Sequence, residues 1–188
     1  MIAADLEFDP DDNYAERRDF DEEEGELAAE ALIWQLLLLI NPDDEEAAAQ
    51  QLTVWQELIS SSEPDSEEVL AALRTATDWR SCFFADQLDA TGLIECIDEL
   101  SARWNVRIDW DIDDSEEDLH AAERDLPSLL KRAHEQLREH GYTLWIWQPA
   151  ESSIEGIHAG WITRRWDDEA VEVVANALGI EARPAAIA

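Results

Sequence analysis

The stretch "YTLWIW", residues 142–147, is apolar on both of its faces. Successive side chains of an extended chain point to opposite sides. Tyr142, Leu144 and Ile146 therefore share one face, and Thr143, Trp145 and Trp147 share the other. A strand with one wet side would alternate apolar and polar residues, and this one offers water nothing. It has to be an interior strand covered on both sides, which demands a layered fold with helices over a sheet.

The chain supplies that cover. "ALIWQLLLLI", 31–40, carries apolar residues at nearly every helical angle, so the helix read over 26–40 should lie among other helices. It is too short to cross a bilayer and is flanked by acids. Asn41 and Pro42 end it, and "DDEE" at 43–46 suits the first turn of the next helix, to about Ile59, with Leu52, Trp55 and Leu58 or Ile59 inward. Asp65 with Glu68 three residues on reads as the cap of a third helix over about 66–77.

After Asp78 the pattern changes. "RSCFFA", 80–85, reads as a strand, and 90–104 as a helix ended by Asn105. "VRIDWDI", 106–112, alternates with Val106, Ile108, Trp110 and Ile112 on one face, which is strand periodicity. A helix restarts near Ser115, and Pro127 opens another that runs to His140 and Gly141. "GIHAGWIT", 156–163, follows as a hairpin neighbour of 142–147. A helix over 168–178 stops at Gly179, and "IEARP" adds an edge strand halted by Pro184.

The expected fold is α+β (or α/β). A mixed sheet, built around 106–112 and 143–147 with flanking helices, occupies 79–188, and Trp110 and Trp145 are largely buried. A helical subdomain, 26–78, packs on it. Residues 1–25 form an acidic, loosely held N-terminal segment, and 26–188 fold as one unit.

Charge decides which partners are plausible. The chain has 46 acidic and 13 basic residues, a net charge of −33, and most of the acid lies before residue 126. Such a field repels nucleic acid and anionic membranes and attracts basic proteins. Salt adaptation and coding bias are the blander causes of an acidic, lysine-poor chain, in which Lys131 is the single lysine. Cys82 and Cys96 form no CxxC pair, and they read as reduced, small hydrophobes. The start, "MIAADLEFDPDD", has no basic or apolar signal region, so a soluble cytoplasmic protein is expected.

Catalytic signatures are missing. The sequence has no GxSxG, GxxxxGK[ST] or GxGxxG, and His120, His134, His140 and His158 show no HExxH or zinc spacing. The densest carboxylate run is "RIDWDIDDSEEDLH", 107–120. As a calcium loop starting at Asp109 it fails twice, with Asp114 where the turn needs Gly and His120 where the last ligand must be Glu. The strand-then-capped-helix reading is favoured. Asp111, Asp113, Asp114 and Glu117 stay as candidates for a weaker cation site, since carboxylate oxygens suit Ca²⁺ or Mg²⁺. Arg164 and Arg165 suggest ion pairs with neighbouring acids more than an anion pocket.

From about 79 to 183 the order is helix, "RIDWD" strand, acidic helix start, helix, "GYTLWIW" strand, hairpin and helix. In this order, and in Asp109, Trp110 and Asp111, the chain resembles a family of small acidic bacterial proteins known only as a domain of unknown function. The resemblance implies a bacterial cytosolic α/β protein and supplies no activity, cofactor or site residue.

Three functional readings compete. The first is a non-enzymatic acidic protein that engages a basic protein partner, as an immunity-type inhibitor or a nucleic-acid mimic, through Asp43, Glu46, Glu67, Glu68, Asp113 and Asp114. The second is a metal-dependent enzyme using the Asp109–Glu117 carboxylates. The third is a salt-adapted protein whose charge implies no partner. Apart from the metal of the second reading no cofactor is expected, nor is direct nucleic-acid binding or a membrane, and none of the three fixes an oligomeric state.

Overall fold

The computed structural model describes residues 29–59, 65–86, 90–111, 125–147 and 157–187. Helix α1 is followed to residue 40 from residue 29. Then come α2 (Glu45–Leu58), α3 (Ser66–Ala76), β1 (Cys82–Asp86), α4 (Ala90–Ala102), α5 (Leu126–Glu139), β2 (Tyr142–Trp147), β3 (Ile157–Arg164), α6 (Asp168–Ala177) and β4 (Ala182–Pro184). The fold is α+β. The expected segment 1–25 and the helix restart near Ser115 lie outside the described residues.

The four-stranded sheet has the order β1-β3-β2-β4, so β2 is interior, as its two apolar faces require. Every pair is antiparallel, with Trp145 opposite Trp161 in the β2–β3 register and Phe83 opposite Gly160 in the β1–β3 register. A mixed sheet was expected because 106–112 alternates like a strand, and its described part, 106–111, does not join the sheet. Val106 and Ile108 are buried, while Arg107 and Asp109 are exposed, so the alternation itself is real. What substitutes for a neighbouring strand is one side chain of α5. Gln136 accepts from the Asp109 N–H at 2.8 Å and donates to the Asp109 carbonyl at 2.8 Å. Alternation reports burial of one face and says nothing of which groups satisfy the backbone. Trp110 is accordingly only partly buried.

Each face of the sheet carries its own core. On one side Trp145, Trp147, Ala159 and Trp161 meet α1, α2, α3 and α6. On the other, Leu144, Ile146 and Ile162 meet α4, α5 and the 106–108 segment. The first core runs without a break from α1 to the sheet, which binds the helical third to the rest. Its centre is aromatic: the Trp147 and Trp161 rings lie 5.7 Å apart, and Phe84 meets Trp147 edge-on at 6.2 Å. Trp145 is fully buried and its indole N–H donates to Thr163 Oγ1 at 2.9 Å. Within α2, Trp55 and Ile59 point inward as expected, whereas Leu58 is 47% exposed.

A second, polar attachment joins the helical third to the sheet. The Asn41 amide donates to Gln51 Oε1 at 2.8 Å, and the Ser81 hydroxyl donates to Asn41 Oδ1 at 2.5 Å. The Gln51 amide in turn donates to Ser81 Oγ at 2.7 Å and to Asp78 Oδ1 at 3.3 Å. Asn41, Gln51 and Ser81 are all buried. Burial alone would push Asp78 up, but hydrogen bonds and the charge of Arg80, with help from Gln51, hold it below the ordinary carboxylate value.

Two predictions test this packing. A Cβ on Gly160 would stand 2.3 Å from the Trp145 carbonyl oxygen and 2.5 Å from the Phe83 ring. Gly160→Ala should therefore exceed the ~1–3 kcal/mol usual for overpacking, because a backbone atom cannot swing aside. Trp145→Ala should cost about 3–5 kcal/mol. Urea denaturation measures both, and a loss below ~1 kcal/mol for either would contradict the packing described. The second concerns His134, buried on α5, whose Nδ1–H donates to the Leu144 carbonyl at 3.1 Å. Burial lowers its pKa below 6.5, against the opposing pull of that carbonyl. The neutral ring's contribution is complete above pH 6.5 and is lost as pH falls through the lowered folded value. The stability gap between wild type and His134→Gln should shrink from about pH 7.5 to 5, and a constant gap would contradict it.

Candidate functional site

Asp109 and Asp111, the described part of the carboxylate run, are exposed but committed. The Asp109 carboxylate accepts from the Asp111 N–H at 3.1 Å, and Asp111 pairs with Arg132 of α5 at 3.1 Å. Asp111 holds a left-handed backbone, φ 53°, which a short acidic side chain tolerates. Asp113, Asp114 and Glu117 lie outside the described residues. Among the described residues no three His, Cys, Asp or Glu side chains cluster as metal ligands.

Beside this segment runs an open groove of about 650 Å³, lined by Asp98, Ala102, Asn105, Val106, Arg107 and Ile108. Asn105 turns the chain back over α4 with φ 57°. Asp98 Oδ1 accepts the Trp110 indole N–H at 3.0 Å. Burial raises the Asp98 pKa, against the hydrogen bond from Trp110 and the charge of Arg107. Sequence reading missed Asp98. Its signal was the half-buried Trp110, whose N–H needs an acceptor.

The helix-start acids fall into two groups. Asp44 caps α2 through the Ala47 N–H at 3.0 Å, and Asp65 caps α3 through the Glu68 N–H at 2.9 Å. The Trp55 indole, late in α2, donates to the Val69 carbonyl, early in α3, at 3.2 Å. The two helices thus run antiparallel. Asp43 and Glu46 stand at one end of the hairpin and Glu67 and Glu68 at the other, about 20 Å away along a helix of this length. These acids do not share one patch.

The two ends also differ in charge. At the α2 start, Asp43 pairs with Arg164 and Asp44 with Arg103, so the expected ion pairing of Arg164 is present. At the α3 start, Glu67 and Glu68 are exposed and make no ion pair among the described residues, and the same holds for Glu57 late in α2. Val54 and Leu58, 41% and 47% exposed, lie one helical turn apart on that stretch of α2. Sequence reading left Leu58 or Ile59 as the inward residue, and Ile59 takes that place. Trp55 and Ile59 already fill the inward angle, and Val54 and Leu58 sit about 100° round from it.

Among the described residues no helix is long and apolar enough to cross a membrane. Residues 32–185 match a protein-family model described as a domain of unknown function, DUF6630. No curated protein and no solved structure matches the chain. For the groove, Trp110→Phe removes a donor that favours the Asp98 carboxylate, so the Asp98 pKa should rise further. Carboxyl NMR titration measures this, and an unchanged or lower value would refute the pairing.

Proposed function

The chain belongs to the DUF6630 family, and we propose that it is a non-enzymatic acidic protein that binds a basic protein partner. The observation that carries this reading is the asymmetry of the α2–α3 hairpin. At the α2 start Asp43 and Asp44 have arginines of their own, which leaves only Glu45 and Glu46 unpaired there, while Glu57, Glu67 and Glu68 at the other end all lack an ion pair among the described residues. Glu57 shares a helical face with the exposed pair Val54 and Leu58, and Glu67 and Glu68 belong to the first turn of α3, which meets this end of α2 at Trp55 and Val69. An apolar pair at an end of the hairpin with uncompensated negative charge suits a cationic amphipathic surface, which gains contact area from the apolar pair and a fast approach from the field. An inhibitor of a basic toxin and a mimic of nucleic acid both belong to this class. The apolar pair favours the inhibitor, because a phosphate backbone offers no counterpart to Val54 and Leu58. Cytoplasmic residence accords with a buried thiol at Cys82, pushed up to about 12 by burial.

The enzyme reading has less support. Asp109 and Asp111 are engaged in a turn and an ion pair, which leaves their carboxylates poorly placed to hold a metal or move a proton.

The test is a salt series with an immobilised amphipathic helical peptide bearing arginines on one face and leucines on the other. Association should slow at least about tenfold between low and physiological salt, as steered encounters do. Glu67→Lys with Glu68→Lys should slow it about as much, and Leu58→Asn should speed dissociation. Glu45→Lys with Glu46→Lys, at the other end, should change it by no more than about twofold, since fields decay over ~10 Å in salt. A flat salt dependence, or equal losses at both ends, would remove the support for this surface.

A further inference from the structure

Trp79 is 63% exposed and Trp166 72% exposed. A chain of contacts joins them across one end of the molecule. Trp79 precedes Arg80, whose carbonyl accepts from Arg103. Arg103 reaches Asp44 at 3.4 Å, the adjacent Asp43 pairs with Arg164, and the Arg164 guanidinium lies 4.9 Å from the centre of the Trp166 ring. The turn between α1 and α2 sits in the middle of this end.

Charge here is nearly compensated, unlike that of the chain as a whole. Arg80 is held by Asp78, Arg103 by Asp44 and Arg164 by Asp43. What remains is complementary in itself. Arg165 is exposed and has no ion pair among the described residues, and neither have the exposed Glu45 and Glu46 in the first turn of α2.

We infer that this end is a docking surface for a second copy of the chain, arranged about a two-fold axis, with Trp79 and Trp166 as its apolar anchors on either side of the α1–α2 turn. Two molecules that each carry −33 repel over most of their surfaces. They can meet only where local charge is compensated, and this end is such a place. A two-fold contact needs one patch that complements itself. Arg165 of each copy facing Glu45 and Glu46 of its partner satisfies that twice over. Trp and Arg are the residues most enriched at the energetic centres of interfaces. The surface lies at the opposite end of the hairpin from Glu57, Glu67 and Glu68, so it does not rest on the function proposed above.

Sedimentation velocity of the full chain over about 1–100 µM, where micromolar association is visible, provides the test. The expected result is a monomer–dimer equilibrium that tightens with added salt, as screening relieves the long-range repulsion. Trp79→Ala with Trp166→Ala should weaken it at least about tenfold while circular dichroism stays unchanged, since both side chains lie outside the core. Arg165→Glu should weaken it likewise, and Glu45→Arg with Glu46→Arg in the same chain should restore it. A chain that stays monomeric throughout overturns the inference. A dimer indifferent to the tryptophan pair does so too, as does a charge swap that fails to restore association.

Discussion

The hydrogen-bonded ring of Asn41, Gln51, Ser81 and Asp78 sets how the helical third sits on the sheet. Apolar contact between α1–α3 and the tryptophan face is strong but indifferent to direction. Buried amides and hydroxyls are not indifferent, because each one left unsatisfied costs about 1–3 kcal/mol. Three of the four ring members are buried, so a sliding hairpin would strand several donors and acceptors at once. The ring also explains why the turn after α1 is rigid enough to project Asp43 and Asp44 towards arginines from β3 and α4.

The sheet's two faces divide the remaining work. The aromatic face is deep, and its three tryptophans are matched by small neighbours: Ala48 of α2, Ala72 and Ala76 of α3, and Ala175 of α6. On the opposite, aliphatic face Gly160 lets the Phe83 ring and the Trp145 backbone close over the same spot. The aliphatic face carries the extended 106–111 segment, which Gln136 holds against α5, and so shapes the groove beside Asp98. The two cores take up apolar side chains, and the negative charge lies on the helix starts and on the outer faces of the helices, as at Glu95, Glu99, Glu135 and Glu172.

Much of this architecture was legible in local patterns. The doubly apolar 142–147 stretch identified an interior strand, Asp65 marked the start of α3, and Gly141 and Gly179 marked helix ends with φ of 86° and 72°. The antiparallel hairpin of β2 with β3 was legible too, but the pairing of β1 with β3 and of β4 with β2 was not, because periodicity carries no information about a strand's neighbours. For the same reason 106–112 was assigned to the sheet, when a glutamine side chain satisfies its backbone at Asp109 instead. The candidate site was legible only as charge. Sequence spacing placed Asp43, Glu46, Glu67 and Glu68 on helix starts, but their separation depends on α2 and α3 running antiparallel, which no single segment encodes. The polar ring was invisible because Asn41 looked like a helix stop and Ser81 like part of a strand.

The pairing of β1 with β3 has a consequence for how the chain is made. β1 leaves the ribosome early, yet its strand partner emerges only after α4, α5 and β2. Until β2 and β3 have emerged the inward stripes of α1, α2 and α3 lack the tryptophan layer that covers them. Contacts so distant in sequence form slowly, since the loop they close must be ordered first. An incomplete chain with exposed apolar stripes is the species most prone to aggregate during synthesis. The acids concentrated before residue 126 accompany those stripes from the start, so nascent chains on neighbouring ribosomes repel one another while they wait for β3. The uneven placement of charge along the sequence thus protects the chain at the stage when its topology leaves it most exposed.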